Sequence, residues 1–282
     1  MVLTKRPTDH YPLTLIMNLA LIGYGKMGHI IEQVARRRGH EIVCIIDRDN
    51  TADFLSPAFS QADVAIEFST PATAEANIRA AWQAGVPVVC GTTGWNVSRL
   101  RDELCDAAEC CQTDKRALLW SSNFSVGVNI FFALNKRLAG LLADYSDYQP
   151  SITETHHIHK LDAPSGTAKT LAEDIERIYD LRFTNDDSQR VSYRNTSTKA
   201  GGDACAPGHS TLNTQHSTTI PIESIREGEV PGIHTVTWDS PVDTISITHS
   251  AKSREGFALG AVLAAEWLKG KTGWHTMDEV LF

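Results

Sequence analysis

Three histidines and a lysine fall within five positions of the stretch Glu154-Thr155-His156-His157-Ile158-His159-Lys160-Leu161-Asp162-Ala163-Pro164-Ser165-Gly166-Thr167. Imidazoles exchange protons near neutral pH and also bind metals. No cysteines or carboxylates at a recognisable ligand spacing accompany them, so no metal is expected. A solvated charged loop is the ordinary reading of a lone His-Lys pair. The downstream residues argue against that here. Pro164-Ser165-Gly166-Thr167 precedes a helical pattern, so the amides of Ser165, Gly166 and Thr167 are expected to be unpaired at a helix N-terminus. Such donors seat an anion. An ammonium from Lys160 beside them makes a carboxylate-binding pocket, and His156 and His157 add groups that titrate near neutral pH. In a strand, His156 and Lys160 share a face, because their spacing is even.

A second segment, Gly23-Tyr24-Gly25-Lys26-Met27-Gly28, is G-x-G-x-x-G. The hexad is common, but here it follows a strand pattern and opens a helix pattern, which is the context that counts. Gly23 permits a tight turn, Gly25 lets the backbone approach a pyrophosphate, and Gly28 allows close helix–strand packing. Asp47 ends the second strand pattern 19 residues after Gly28, where a carboxylate should hold ribose hydroxyls. Arg48 next to it can pair with a 2′-phosphate, which Asp47 repels. The pair predicts use of both NADH and NADPH. Two further loops leave the carboxyl ends of strands, where such sheets bind ligands. They are Gly91-Thr92-Thr93-Gly94 and Ser121-Ser122-Asn123-Phe124. Hydride donor, acid and anion seat together specify reduction of a C=C or C=N bond in a carboxylate.

The elements that must position these residues follow from hydrophobic periodicity. Apolar runs at 18–22, 41–46, 64–68, 86–90 and 117–120 alternate with helical patterns at 29–38 and at about 71–84, the latter expected to start at Pro71 with Ser69 and Thr70 as caps. That alternation predicts an α/β, Rossmann-type doubly wound parallel sheet. After Phe124 the pattern changes. A helix is expected over 127–142, a strand over Gln149–His156, and a helix from Ser165 to about Tyr179. Strands are expected at 218–222, 234–239 and 243–249, and a last helix at about 254–268 that packs back on the first domain. The polar stretch 183–218 reads as strand fragments joined by a long loop. The expected organisation is a dinucleotide-binding domain of residues 17–124 plus 250–282. A second α+β domain, built on an open mixed sheet, covers 125–249 and serves for substrate binding and oligomerisation. Residues 1–16 form a loose extension.

Composition bounds the rest. Of 282 residues, 42% are hydrophobic and 21% charged, enough for a sizeable core without disulfides or metals. The net charge of −8 argues against nucleic acid as a main partner. Six cysteines without a C-x-x-C pair read as reduced thiols of a cytoplasmic protein. No run approaches the ~18 apolar residues of a membrane span.

The long motif closely resembles one found in the 4-hydroxy-tetrahydrodipicolinate (dihydrodipicolinate) reductase family, E-A-H-H-x-x-K-x-D-A-P-S-G-T, with Thr155 in place of the usual alanine. Gly91-Thr92-Thr93-Gly94, Asn123-Phe124-Ser125-Val126-Gly127 and Ser253-Arg254-Glu255-Gly256-Phe257-Ala258 support it. The resemblance implies NAD(P)H-dependent reduction of 4-hydroxy-tetrahydrodipicolinate in lysine/diaminopimelate biosynthesis. It implies His156 as proton donor and acceptor, and Lys160 as second donor and substrate anchor. It assigns the dicarboxylate to His157, Ser165, Gly166 and Thr167. The cofactor falls to Gly23, Tyr24, Gly25, Lys26, Met27, Gly28, Asp47, Arg48, Gly91, Thr92, Thr93, Ser121, Ser122, Asn123, Phe124 and Arg254. A homotetramer built through the second domain's sheet is implied as well. Against the family pattern, the segment between Asp47 and Val64 is short, which leaves the cofactor preference open. Two rivals are a different two-domain amino-acid dehydrogenase, which leaves the His-His-Lys-Pro-Ser-Gly-Thr run unexplained, and a non-catalytic NAD(P) sensor, which has no need of His156 or Lys160.

Overall fold

The computed structural model describes residues 16–110, 116–185 and 220–282. Most of the extension at 1–16 and of the polar stretch at 183–218 lies outside the described residues. The chain divides into two compact units. One comprises Met1–Phe132, Val230–Ile233 and His249–Phe282; the other comprises Ala133–Glu229 and His234–Thr248.

The first unit is built on a six-stranded sheet. Its strands are β1 (Asn18–Ile22), β2 (Glu41–Ile46), β3 (Val64–Glu67), β4 (Val88–Cys90), β5 (Ala117–Trp120) and β10 (Gly273–His275), in the order β10-β5-β4-β3-β1-β2. All five pairings are parallel. The inner strands β1, β3, β4 and β5 are buried on both faces, and their side chains sort with a period of two. Leu19, Leu21, Val64 and Ile66 join one core cluster, while Ala20, Ile22 and Ala65 join the other.

Two helices cover the first face: α1 (Lys26–Arg37), through Ile31, Val34 and Ala35, and α7 (Glu255–Leu268), through Ala258, Ala261, Val262, Ala265 and Leu268. On the second face lie α3 (Ala74–Gln83) and α4 (Ser98–Cys110), which contribute Ile78, Trp82, Leu100 and Leu104. A buried ion pair bolts α7 to the turn after α1. Arg38 donates from Nε and Nη2 to the two Glu266 oxygens at 2.6 and 2.8 Å, and His40 Nε2 lies 2.7 Å from the same carboxylate. The last helix therefore packs on the first unit, as its apolar composition predicts.

Several details differ from the sequence reading. Helix α3 begins at Ala74 rather than Pro71, because the expected caps are engaged elsewhere: Ser69 Oγ is hydrogen-bonded to Glu67, and the Thr70 carbonyl closes a turn onto the amides of Thr73 and Ala74. A 3₁₀ turn at Thr51–Leu55 and a short helix α2 (Pro57–Ser60) follow β2, which is the edge strand. Here Phe54 and Phe59 pack edge to face and fill the core. Helix α4, strand β10 and the terminal helix α8 (Met277–Leu281) have no counterpart among the elements expected from periodicity.

The second unit contains the remainder of α5 (Val126–Leu142), which starts in the first unit, and α6 (Gly166–Asn185). Its sheet has the order β7-β6-β8-β9, from β6 (Gln149–His156), β7 (Ile222–Arg226), β8 (Ile233–Asp239) and β9 (Thr244–Ser250). Strands β6 and β7 are parallel. The pairs Thr235–Thr248, Thr237–Ser246 and Asp239–Thr244 make β8 and β9 antiparallel. The sheet is therefore mixed. The strand expected at 218–222 runs instead from Ile222 to Arg226. Helix α6 lasts to Asn185, beyond the expected end at Tyr179. Ile152, Leu171, Ala172, Ile175, Val236 and Trp238 are all buried.

Candidate active site

The hexad occupies the turn from β1 into α1. Strand β1 has β2 on one side and β3 on the other, so this turn opens at the switch point of the sheet, where such folds bind ligands. Gly23 has φ +88°, and a Cβ there would sit 2.3 Å from the Phe68 carbonyl oxygen. At Gly28 a Cβ would lie 2.5 Å from the Gly23 oxygen. These two glycines are required by the fold itself. Gly25 is different, because a Cβ would meet nothing within 4 Å. Gly25 is the N-cap of α1 without a side-chain cap, and no acid lies in the first turn. The first-turn amides therefore point their charge into open space, a fit for a pyrophosphate. Lys26 is exposed beside them, Met27 packs on the core, and the Tyr24 hydroxyl is tied to Glu32.

Asp47 and Arg48 are exposed at the end of β2. The Asp47 amide donates to Asn50 Oδ1 at 2.6 Å, and Asp47 Oδ1 accepts from the Arg48 amide at 2.9 Å. The Gly91–Gly94 loop is anchored through one residue. Thr92 O accepts from the indoles of Trp95 (2.8 Å) and Trp120 (3.1 Å), and Thr92 Oγ1 accepts from the Ser69 amide (2.9 Å). Thr93 is exposed. In the following loop Ser121 Oγ donates to the Asn123 carbonyl at 2.7 Å, Asn123 Oδ1 accepts from the Ser125 amide, and Ser122 is exposed. Phe124 does not line a surface: its ring is 2% exposed and packs against Phe68. Arg254 is exposed at the N-cap of α7.

In the second unit, β6 stops at His156, and residues 157–160 turn away from the sheet. The Lys160 amide donates to the His157 carbonyl, and the Ile158 amide to the Gly228 carbonyl. The shared strand face expected for His156 and Lys160 is therefore absent. Lys160 instead grips Asp162 through both carboxylate oxygens, at 2.7 and 2.9 Å. His159 is a surface residue 3.1 Å from Glu229.

The Ser165 amide is likewise not free. It donates to both oxygens of Glu154 at 3.0 and 3.1 Å, and the Ser165 hydroxyl accepts from the Ala168 amide as the cap of α6. Gly166 is exposed at the first turn, with open space where a Cβ would stand, and Thr167 is half-buried.

Glu154, fully buried, is the centre of a cluster that no local sequence pattern reveals. Ser224 on β7 donates to it at 2.8 Å, Arg226 approaches to 3.4 Å, and His234 on β8 to 3.6 Å. Arg226 also donates to the carbonyls of Asp162 and Lys160, which shapes the turn. Burial pushes the Glu154 pKa up, but the neighbouring His234 and the hydrogen bonds from Ser165 and Ser224 outweigh it, and the carboxyl is held well below the usual range. His156 moves the other way from expectation. Burial, then the neighbouring His234, lower its pKa to about 4, so the free imidazole is neutral at pH 7. Candidate metal-ligand atoms of Glu154, His156 and His234 do lie within 4.8 Å of one another. The carboxylate already accepts from Ser165 and Ser224, however, and the adjacent Arg226 repels a cation.

A doubly wound parallel sheet with an open helix N-terminus after its first strand, joined to a mixed sheet bearing a buried acid–imidazole cluster, defines a two-unit oxidoreductase of the nicotinamide-dependent class. Residues 17–124 match the family model of the dihydrodipicolinate reductase N-terminus, and residues 127–281 that of its C-terminus. A 4-hydroxy-tetrahydrodipicolinate reductase of Christiangramia forsetii is 44% identical, over 94% of this chain and 98% of its own length. One of Akkermansia muciniphila is 34% identical, over 91% and 94%. The fold is shared with a dipicolinate-bound dihydrodipicolinate reductase of Paenisporosarcina sp. TG-14, at a TM-score of 0.64 and 21% identity, over 93% of this chain and 98% of that one. The chain belongs to the dihydrodipicolinate reductase family, and it is a reductase of lysine/diaminopimelate biosynthesis. Among the described residues, no helix is long and apolar enough to cross a membrane.

Proposed function

We propose that the chain reduces 4-hydroxy-tetrahydrodipicolinate, a cyclic dicarboxylate, to tetrahydrodipicolinate, with His156 as the group that handles the proton. The observation that carries this reading is a buried imidazole at the end of β6, set between an internal carboxylate and the Lys160 turn. When bound, a reduced nicotinamide supplies the hydride to the ring carbon that has lost its hydroxyl. The chain's part is to hold the dicarboxylate and to protonate the adjacent ring carbon. Lys160, His157, Gly166 and Thr167 bind the carboxylates. Ser165 contributes as the cap that fixes this turn rather than through its amide, which Glu154 takes. Lys160 must exchange Asp162 for a substrate carboxylate, so Asp162 holds the ammonium in place until the ligand arrives. The incoming negative charges favour the protonated form of His156, lifting its pKa from about 4.

Residues 17–124 with 250–282 hold the cofactor, and 125–249 serve substrate binding and assembly. The backbone of Gly23, Tyr24, Gly25, Lys26, Met27 and Gly28 takes the pyrophosphate. Gly91 to Thr93, Ser121 to Asn123 and the backbone of Phe124 lie along the cofactor, and Arg254 completes the set. With Asp47 and Arg48 both exposed, the site accepts NADH and NADPH alike. The outward face of β8 and β9, with Val242 at 86% exposure at their turn, supports a homotetramer formed through this sheet. The working compartment is the cytoplasm.

The test is a coupled assay in which aspartate semialdehyde, pyruvate and a synthase generate the substrate while NAD(P)H absorbance is followed. Oxidation that depends on the synthase is expected with either cofactor. No oxidation with either would overturn the reading.

A further inference from the structure

The Glu154 carboxylate serves two imidazoles with one oxygen. Oε2 lies 3.6 Å from Nδ1 of His156 and 3.6 Å from Nε2 of His234. The two rings stand 5.0 Å apart at 74°. Nδ1 of His156 is buried and has no hydrogen-bond partner, which leaves Glu154 as the acceptor it faces. The same Nε2 of His234 is hydrogen-bonded to the Ser165 hydroxyl at 3.1 Å, so Ser165 and Glu154 share that nitrogen. The carboxylate itself is fixed by the Ser165 amide, the Ser224 hydroxyl and Arg226. A buried anion this firmly held is a rigid reference for whichever imidazole turns a proton toward it.

We propose that Glu154 and His234 are positioning residues for proton transfer by His156: Glu154 draws the Nδ1 proton of His156 inward so that Nε2 faces the substrate, and His234, held by Ser165, competes for the same oxygen. The proposal rests on the reading of His156 as the proton-handling group and adds how its tautomer and charge are set.

A contact of 3.6 Å is longer than a hydrogen bond, and such contacts tighten when the ligand binds and charge develops. As the imidazolium forms, its Nδ1–H closes on Glu154. The Nε2 proton then passes to the ring carbon as that C–H bond forms, the imidazole returns to neutrality with its proton on Nδ1, and solvent supplies the next proton at Nε2. Two imidazolium ions 5.0 Å apart would repel strongly in a buried site, so His234 disfavours a positive charge on His156. The charged groups facing His156 are Glu154 on β6, His234 on β8, Arg226 on β7, and Lys160 in the turn, itself paired with Asp162. Of these only Glu154 favours the imidazolium; burial, His234, Lys160 and Arg226 oppose it.

The test is a histidine titration by long-range proton–nitrogen NMR on the full chain, without turnover, together with kcat and KM. In the wild type, His156 is expected to be neutral at pH 7 with its proton on Nδ1. His234→Gln should raise the His156 midpoint from about 4 toward the ordinary 6.5. Glu154→Gln should lower it, move the proton to Nε2, and reduce kcat by about 10²-fold with little change in KM, within the usual size of an acid–base contribution. Glu154→Asp should recover part of that loss. Because Glu154→Gln also removes the charge and one of the two oxygens that accept from the Ser165 amide, His234→Gln decides the matter if the first variant does not fold. A His156 midpoint and tautomer unchanged in folded His234→Gln overturn the proposal. Full kcat in His156→Gln would instead remove His156 from the chemistry, a failure of the functional reading that the spectra register separately.

Discussion

Two helix N-termini carry the candidate chemistry, and they treat their amides in opposite ways. At α1 the cap is Gly25, no side chain closes the first turn, and no acid lies within it. At α6 the Ser165 amide is taken by Glu154 and the Ser165 hydroxyl caps Ala168. The first end is a general anion seat made from backbone alone, suited to a pyrophosphate. The second commits its first donor to an internal carboxylate. That donor anchors the group beside His156. Backbone builds the proposed cofactor seat, whereas side chains in mutual contact build the proposed substrate seat. The two should therefore fail differently when altered.

The largest effect should come from the substrate side. His156→Gln keeps a polar group without a useful acid and should lower kcat by roughly 10²–10⁴-fold, with KM for either ligand nearly unchanged. Lys160→Ala removes a charge-assisted contact of about 1.5–3 kcal/mol, so KM for the dicarboxylate should rise by roughly 10–100-fold while cofactor KM stays put. A rise in cofactor KM instead would erase the division of labour between the two ends.

The sharpest comparison sets two alanines against each other, since a Cβ added at either Gly25 or Gly166 would meet nothing within 4 Å. Gly25→Ala should leave the melting temperature in place and weaken NAD(P)H by roughly 10-fold or more, because the methyl group stands where the phosphate approaches. Gly166→Ala should affect the dicarboxylate alone and raise helix stability by about 0.5–1 kcal/mol. Arg48→Ala should raise KM for NADPH by about 10-fold and hardly change that for NADH, in line with one surface charge–phosphate contact. Equal losses would show that Arg48 does not read the 2′-phosphate. Ser165→Ala removes a cap of a kind that α1 lacks, together with the hydroxyl bonded to His234, and should cost about 1 kcal/mol in thermal unfolding.

The sequence is most legible where structure is local. The glycine hexad, the strand that precedes it and the amphipathic face of α1 lie within about twenty residues, and each is a short-range pattern. The His156–Thr167 stretch is readable as residue types but not as geometry. Whether Lys160 shares a face with His156 depends on where β6 stops, and β6 stops because the turn at 157–160 pairs with Gly228 and Arg226, which are distant in sequence. His234, Ser224 and Arg226 sit in ordinary alternating strands, and nothing local marks them as partners of Glu154. The titration of His156 is illegible for the same reason, because burial and His234 set it. Helix α3 starts later than its Ser-Thr-Pro signal suggests because Ser69 turns its hydroxyl to the buried Glu67 rather than to the helix. Strand β7 likewise starts later than expected, since apolar alternation near 218–226 fits either placement.

The Thr92 carbonyl gives the molecule a built-in optical reporter. Trp95 and Trp120 both hang their indole N–H groups on that one oxygen, and Trp120 stacks on Trp274 with ring centroids 6.5 Å apart. Indole emission responds to the polarity around the ring and is quenched by energy transfer to a reduced nicotinamide. Any displacement of the Thr92 carbonyl would alter both hydrogen bonds at once. If the cofactor lies along this loop as proposed, adding NADH or NADPH should quench the indole emission, with no label and no turnover, and Trp120→Phe should reduce that change.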